Sequence, residues 1–171
     1  MELVGAAATA ADHGSLKPWR LIELRGSARD ELGAALAAAA GLAGQDDERL
    51  RRLAAKPLRA PLLIGIVAVR RVSPKVADWE QDAAAAGVAH LLSLLLDDAG
   101  WAVMWRTGPW TDAEPVRAVH RLAPSERLLG WLYVGGRPTE ADDQRAPKRG
   151  TIDAGAFLTT LDLDGKDETL Q

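Results

Sequence analysis

Two rhythms of apolar residues run along the chain. Ala60 to Val69 is a continuous apolar run of strand length, with Ile64, Ile66, Val67 and Val69. Such a run predicts a strand covered on both faces. Three shorter runs, Trp19 to Leu24, Trp101 to Trp105 and Arg127 to Val134, predict further strands. Pro18 fits only at the start of the first, where a missing N–H costs nothing. Gly135-Gly136 is expected to stop the last. Between the strands the spacing turns helical. Val76 to Ala99 is the longest predicted helix, closed by Gly100 just past its end. Ala and Leu occupy nearly every side of it beyond Ala83, so it is expected to be surrounded by protein.

Shorter helices follow from their caps. Ser27 reads as an N-cap, with Asp30 and Glu31 in a first turn that favours acids, and the helix runs to about Leu42. Asp46 or Asp47 caps a second, Glu48 to Ala55, whose Arg49, Arg51 and Arg52 read as a solvated face. Thr111 or Asp112 caps another that reaches about Arg121. Residues 1 to 11 are Ala-rich and read as the end of a helix whose beginning lies upstream. Asp12 to Pro18 is a turn, since Asp, Gly, Ser and Pro cluster there. The count is about four strands interleaved with about five helices, without internal repeats. Beyond Pro138 the chain turns polar. Only Phe157-Leu158 and Leu161 look ready for burial there, too few to fold alone. That tail needs a surface to lie on, and another subunit is one candidate.

Composition narrows the classes. The 171 residues suit one domain, and a net charge of −3 disfavours nucleic acid and anionic membranes as partners. The apolar stretch Ala83 to Leu96 is shorter than the roughly 20 residues a membrane span takes. Met1-Glu2-Leu3-Val4 puts an acid where a secretory signal would need base. There are no cysteines. That removes disulfides, thiolate metal sites and cysteine nucleophiles, and fits a cytoplasmic protein.

Chemistry-bearing motifs are sparse. His13, His90 and His120 lie far apart, without ligand spacing, and no HExxH, GxSxG, Walker A or GxGxxG pattern occurs. Asp97-Asp98 and Asp142-Asp143 fall where a solvated helix end and a loop are expected. A chain of this kind binds something or takes its chemistry from a cofactor. His13 lies in a turn, either exposed beside a capping Asp12 or facing a ligand. Lys17 and Arg20 read as surface charges or as an anion's partners. Arg106 follows a strand and precedes Thr107-Gly108-Pro109. It suits a phosphate or carbonyl pair, or it stacks on Trp105 or Trp110. Six tryptophans stand beside one Phe and one Tyr. Trp79, Trp101, Trp105 and Trp131 fall in or near core elements, where packing explains most of them, and a cavity for a flat cofactor would also favour them. His90 reads as a core histidine. His120 lies near a helix C-terminus, where a cation is welcome.

Five segments in order resemble the nitroreductase family in its short single-domain branch. They are Ala10-Ala11-Asp12-His13-Gly14-Ser15-Leu16-Lys17-Pro18-Trp19; Arg59-Ala60-Pro61-Leu62-Leu63-Ile64; Lys75-Val76 with Trp79-Glu80-Gln81; Trp105-Arg106-Thr107-Gly108; and Gly130-Trp131-Leu132-Tyr133-Val134-Gly135. Ile152-Asp153 with Ala156-Phe157-Leu158-Thr159 resembles the family's C-terminal end. The resemblance spans roughly residues 5 to 160.

It implies an α+β flavoprotein fold, with a central, mostly antiparallel sheet of about four strands and a long buried central helix. It also implies a homodimer with FMN at shared sites between the subunits. Residues 1–138 would form the FMN-binding domain, and 139–171 an arm packed on the partner subunit. The family reduces FMN with NAD(P)H and passes electrons to a small-molecule acceptor such as a nitroaromatic or quinone. His13 matches an FMN contact, and Trp105, Arg106 and Thr107 match the segment that holds the cofactor. Thr9 stands where some relatives place an FMN-binding Arg. Leu95 to Gly100 matches a stretch associated with the nicotinamide nucleotide. Relatives also grip the FMN phosphate with an Arg-Arg-Ser type segment that would precede Met1. Either the sequence is shortened from a longer protein, or FMN binding is impaired. A fold that binds or stores flavin without turnover is the second expectation.

Overall fold

The computed structural model describes residues 1–137 and 152–161. Residues 1–137 form one α+β unit around a four-stranded sheet in the order β1-β2-β4-β3. The strands are β1 (Trp19–Leu24), β2 (Leu62–Val69), β3 (Trp101–Arg106) and β4 (Glu126–Gly136). All three pairings are antiparallel. β2 sits inside the sheet, which is why its sequence is apolar on both faces. β4 stops at Gly135-Gly136, as expected. Both glycines belong to β4 and pair with Ala102 and Trp101. A neighbouring strand overrides their weak strand propensity.

Helices cover the two faces separately. α1 (Glu2–Ala7) and α4 (Asp78–Asp98) pack on one face. Val88, Ala89, Leu92 and Leu96 of α4 meet Ile66, Leu132 and Val134 there. α2 (Ser27–Leu42), α3 (Asp47–Ala54) and α5 (Glu114–Val119) cover the other face. Leu32, Leu36, Leu53 and Val116 meet Leu63, Val67, Leu128, Trp131 and Tyr133 there. A bulge shifts the register of β2 and β4 at Ile66/Val67. The extra β4 residue lets Leu128 and Trp131, three apart, face the same side.

Several expectations are corrected. Ser27 begins α2 without capping it, because Gly26 takes the cap position at φ 50°. Asp46 does cap α3, accepting from the Arg49 N–H at 2.8 Å. α5 starts at Glu114 after Ala113, not after Thr111 or Asp112, since Pro115 fixes its first turn. α4 is not wrapped on all sides. One chain covers only its sheet-facing stripe, leaving Trp79 71% and Leu94 67% exposed. His90 is likewise exposed rather than in the core. Phe157, Leu158 and Leu161 are exposed on the single chain and so are available to another surface. Asp142-Asp143 and most of the tail lie outside the described residues. Among the described residues, no helix is long and apolar enough to cross a membrane.

Candidate cofactor and substrate site

The turn carrying His13 is built by Asp12. Its carboxylate accepts from the N–H groups of Leu16 at 3.2 Å and Lys17 at 2.6 Å. This curls the backbone tightly enough that Gly14, Ser15 and Lys17 all take positive φ. The curl brings His13 to the start of α4. There its Nδ1 donates to the Glu80 carboxylate at 2.7 Å. Glu80 also accepts from the Ala77 N–H at 3.2 Å, so one carboxylate serves the helix end and the imidazole. The His13 bond, then the Ala77 bond, holds the Glu80 carboxyl below its ordinary pKa. With Nδ1 so used, Nε2 of the exposed ring is free to meet a ligand. Glu80 itself was not among the expected site residues. Its sequence signals were its place near a helix start and in the segment Trp79-Glu80-Gln81 that resembles the family.

Thr9 follows α1 and spends its hydroxyl on the Ala6 carbonyl at 2.7 Å. Its neighbour Ala10 lies against Gly87 in the middle of α4. Trp105 is on the same side of the sheet, edge-on to His90 of α4 with ring centroids 5.0 Å apart. Its indole N–H is shielded from water and has no acceptor among the described residues. Ten residues separate Glu80 from His90, about 15 Å along a helix. So His13 and Trp105 lie along one helix but do not touch.

Arg106 is on the opposite face. Its position pairs with Trp131, and its guanidinium lies 5.3 Å from the centre of the Tyr133 ring. The end of β3 thus presents Trp105 to the α4 side and Arg106 to the α2–α3 side. Gly130 makes this end possible. At its φ of 131°, an added Cβ would stand 2.4 Å from the Arg106 carbonyl oxygen and 2.8 Å from the Trp105 indole nitrogen.

Below the Gly108–Thr111 turn, on the Arg106 side, is a cavity of about 180 Å³. Leu36, Leu53, Trp131 and Tyr133 form its buried wall. Arg49, Lys56 and Arg106 bring charge to it, and Thr107 and Trp110 also line it. Arg49 was expected on a solvated face but is half-buried here, where it lines the cavity. Burial, then the charges of Arg49, Arg59, Arg106 and Arg52, lowers the Lys56 pKa from its ordinary value. Lys56 was not anticipated. A lysine before Pro57 in a short helical turn carries no motif.

Arg20, a possible anion partner, is already engaged. Its guanidinium holds Glu126 through two bonds of 2.7 and 2.8 Å. His120 is not the cation expected at a helix end. It is buried, and burial lowers its pKa. The Trp131 indole donates to its Nε2 at 2.9 Å, while its Nδ1 bonds the Val116 carbonyl at 2.8 Å. Among the described residues, no group of acids and histidines could hold a metal ion.

Known proteins match this chain along most of its length. The model of the Nitroreductase family matches residues 1–136. "Putative NAD(P)H nitroreductase YdjA" of Escherichia coli strain K12 is 31% identical over 133 residues, covering 78% of this chain and 73% of that protein. The nitroreductase-like family protein of Bacillus cereus superposes with a TM-score of 0.74 at 20% identity, over 94% of this chain and 82% of that one. The FMN-dependent nitroreductase NfnB of Mycobacterium smegmatis, solved with NADPH, superposes with a TM-score of 0.64 at 19% identity, over 94% and 86%. From the sheet order to the segment ending β3, the chain belongs to the nitroreductase family.

Proposed function

We propose that this protein is an FMN-dependent oxidoreductase that takes electrons from NAD(P)H and delivers them to a small organic acceptor. Its family and the NAD(P)H nitroreductase names of its relatives support that reading. The observation that carries it is the end of β3. Trp105 there has a buried N–H without an acceptor among the described residues, and Arg106 beside it is a half-buried cation. A half-buried cation with no acid partner among the described residues suits a ligand that brings acceptors. FMN fits, having carbonyl oxygens and a phosphate. Trp105, Arg106 and Thr107 would hold it, and His13 would offer its free Nε2. Thr9 would contribute little, since its hydroxyl already serves Ala6. Leu95 to Gly100 would lie near the nicotinamide nucleotide.

Bound FMN would supply the two-electron chemistry that no side chain here provides. For a nitro compound the balance is RNO2 + NAD(P)H + H⁺ giving RNO + NAD(P)⁺ + H2O. The protein's part is to bind, orient and exclude water.

The site is completed by a second copy of the chain in this reading. The uncovered stripe of α4, with Trp79, His90 and Leu94, lies beside the outer edge of β3 and gives a second subunit a surface to cover. Residues 1–138 would act as the cofactor-binding domain, and the arm from 139 would lie on the partner. Such a protein would function in the cytoplasm. The test is uptake of FMN. The purified chain, incubated with FMN and desalted, is expected to keep the flavin's visible absorbance, and Arg106→Ala to keep much less. Protein that emerges colourless refutes the reading.

A further inference from the structure

The cavity under the Gly108–Thr111 turn has its own chemistry. Arg49, Lys56 and Arg106 border it, and no carboxylate lines it. None of the three forms an ion pair among the described residues, whereas Arg20, Arg52, Arg70, Arg117 and Arg137 each hold an acid. Converging cations in a chain of net charge −3 repel one another unless something neutralises them. The rest of its wall is apolar and aromatic, with Leu53 beside Arg49 and with Trp131, while Tyr133 lies under Arg106. Free phosphate would use the cations and waste that wall. A neutral hydrocarbon would do the reverse. The volume of about 180 Å³ exceeds by little the roughly 150 Å³ of an apolar cavity that holds benzene. It is sized for one ring.

We propose that this cavity binds a single aromatic ring carrying one carboxylate, the carboxylate on Arg49 and Lys56 and the ring against Leu53 and Trp131. The half-buried position of the lysine, which also lowers its pKa, strengthens each hydrogen bond it gives. Trp131 is a fixed wall because His120 anchors its indole. The binding claim stands on the cavity alone. It rests on the functional reading above only for the further statement that such acids are the acceptors, which would make acidic nitroaromatics better substrates than neutral ones.

The test is calorimetric titration of the full chain, without NAD(P)H, using 4-nitrobenzoate, 4-nitrobenzyl alcohol and inorganic phosphate as probes. The benzoate should bind saturably, about tenfold or more tighter than the alcohol, as loss of a charge-assisted bond predicts. Phosphate should bind more weakly than the benzoate. Lys56→Gln and Arg49→Gln, both lining the cavity, should each weaken the benzoate about tenfold and leave the alcohol unchanged, with the circular dichroism spectrum retained. Equal affinity for acid and alcohol overturns the proposal, as does benzoate binding indifferent to both substitutions. Phosphate binding as tight as benzoate overturns the aromatic half of it. A chain that takes no FMN but binds benzoate as described would sink the functional reading and leave this site standing.

Discussion

His120 holds two hydrogen bonds that fix its ring in one neutral form. Nδ1 must carry the proton to reach the Val116 carbonyl, and Nε2 must lack one to accept from Trp131. Protonating Nε2 would set one N–H against another and charge a buried ring. Its folded pKa is therefore depressed, chiefly by burial. In the unfolded chain a histidine titrates near 6.5. As pH falls through that value the unfolded state takes up the proton first, so the stability His120 contributes is complete above it and declines below. The urea midpoint is expected to drop between pH 7 and pH 5. In His120→Gln that drop should shrink, with stability at pH 7 lower by about 1 kcal/mol from the lost Trp131 bond. A drop equally steep in the variant would contradict the assignment. Nothing in the sequence announces this bond. It joins residues that the α5-to-β4 connection returns to the same face, opposite Gly65. His13 is the reverse case. Its turn was legible from Asp12 and Gly14, but its partner Glu80 lies 67 residues away.

Among the elements, α2 and α3 decide the cavity's shape through one glycine. A Cβ on Gly33 would lie 2.2 Å from the Ala54 carbonyl oxygen. The helices cross where only hydrogen fits, and this seats Arg49, Leu53 and Lys56 above β3. Gly33→Ala forces the backbones apart and should cost about 1–3 kcal/mol, read as a lower unfolding midpoint. Unchanged stability would mean the crossing is looser than described. The elements themselves were legible, because apolar runs at strand and helix spacing leave strong patterns, although of the expected N-caps only Asp46 caps its helix. Gly135-Gly136, expected to stop β4, still pair with Ala102 and Trp101 as its last two residues. The bulge beside Gly130 was invisible because alternation resumes after one extra residue. Yet that glycine is what lets the end of β3 approach β4 so closely, where a Cβ would stand 2.4 Å from the Arg106 carbonyl oxygen.

At the scale of the molecule, the exposed stripe of α4 is the surface that the proposed second copy would cover. The sequence was read as a helix covered all round, and one chain leaves Trp79 and Leu94 exposed. The reading counted apolar positions correctly but could not tell whose atoms cover them. If a second copy does, the protein sediments as a dimer at micromolar concentration, and Leu94→Lys shifts it toward monomer with loss of retained flavin. A wild-type monomer that still retains flavin would remove the shared-site proposal. The candidate site was half legible for a related reason. Trp105, Arg106 and Thr107 carry a family pattern on one short segment, whereas Arg49 and Lys56 reach the site only through the packing of α2 on α3.

The central claim is that the end of β3 holds a flavin that NAD(P)H reduces. It is tested most directly by the visible spectrum of the FMN-loaded protein under anaerobic conditions. Addition of NADPH or NADH is expected to bleach the flavin bands, and a nitroaromatic added next should restore them. Bound flavin that neither nucleotide bleaches would mean a flavin-holding protein without turnover, and would contradict the account.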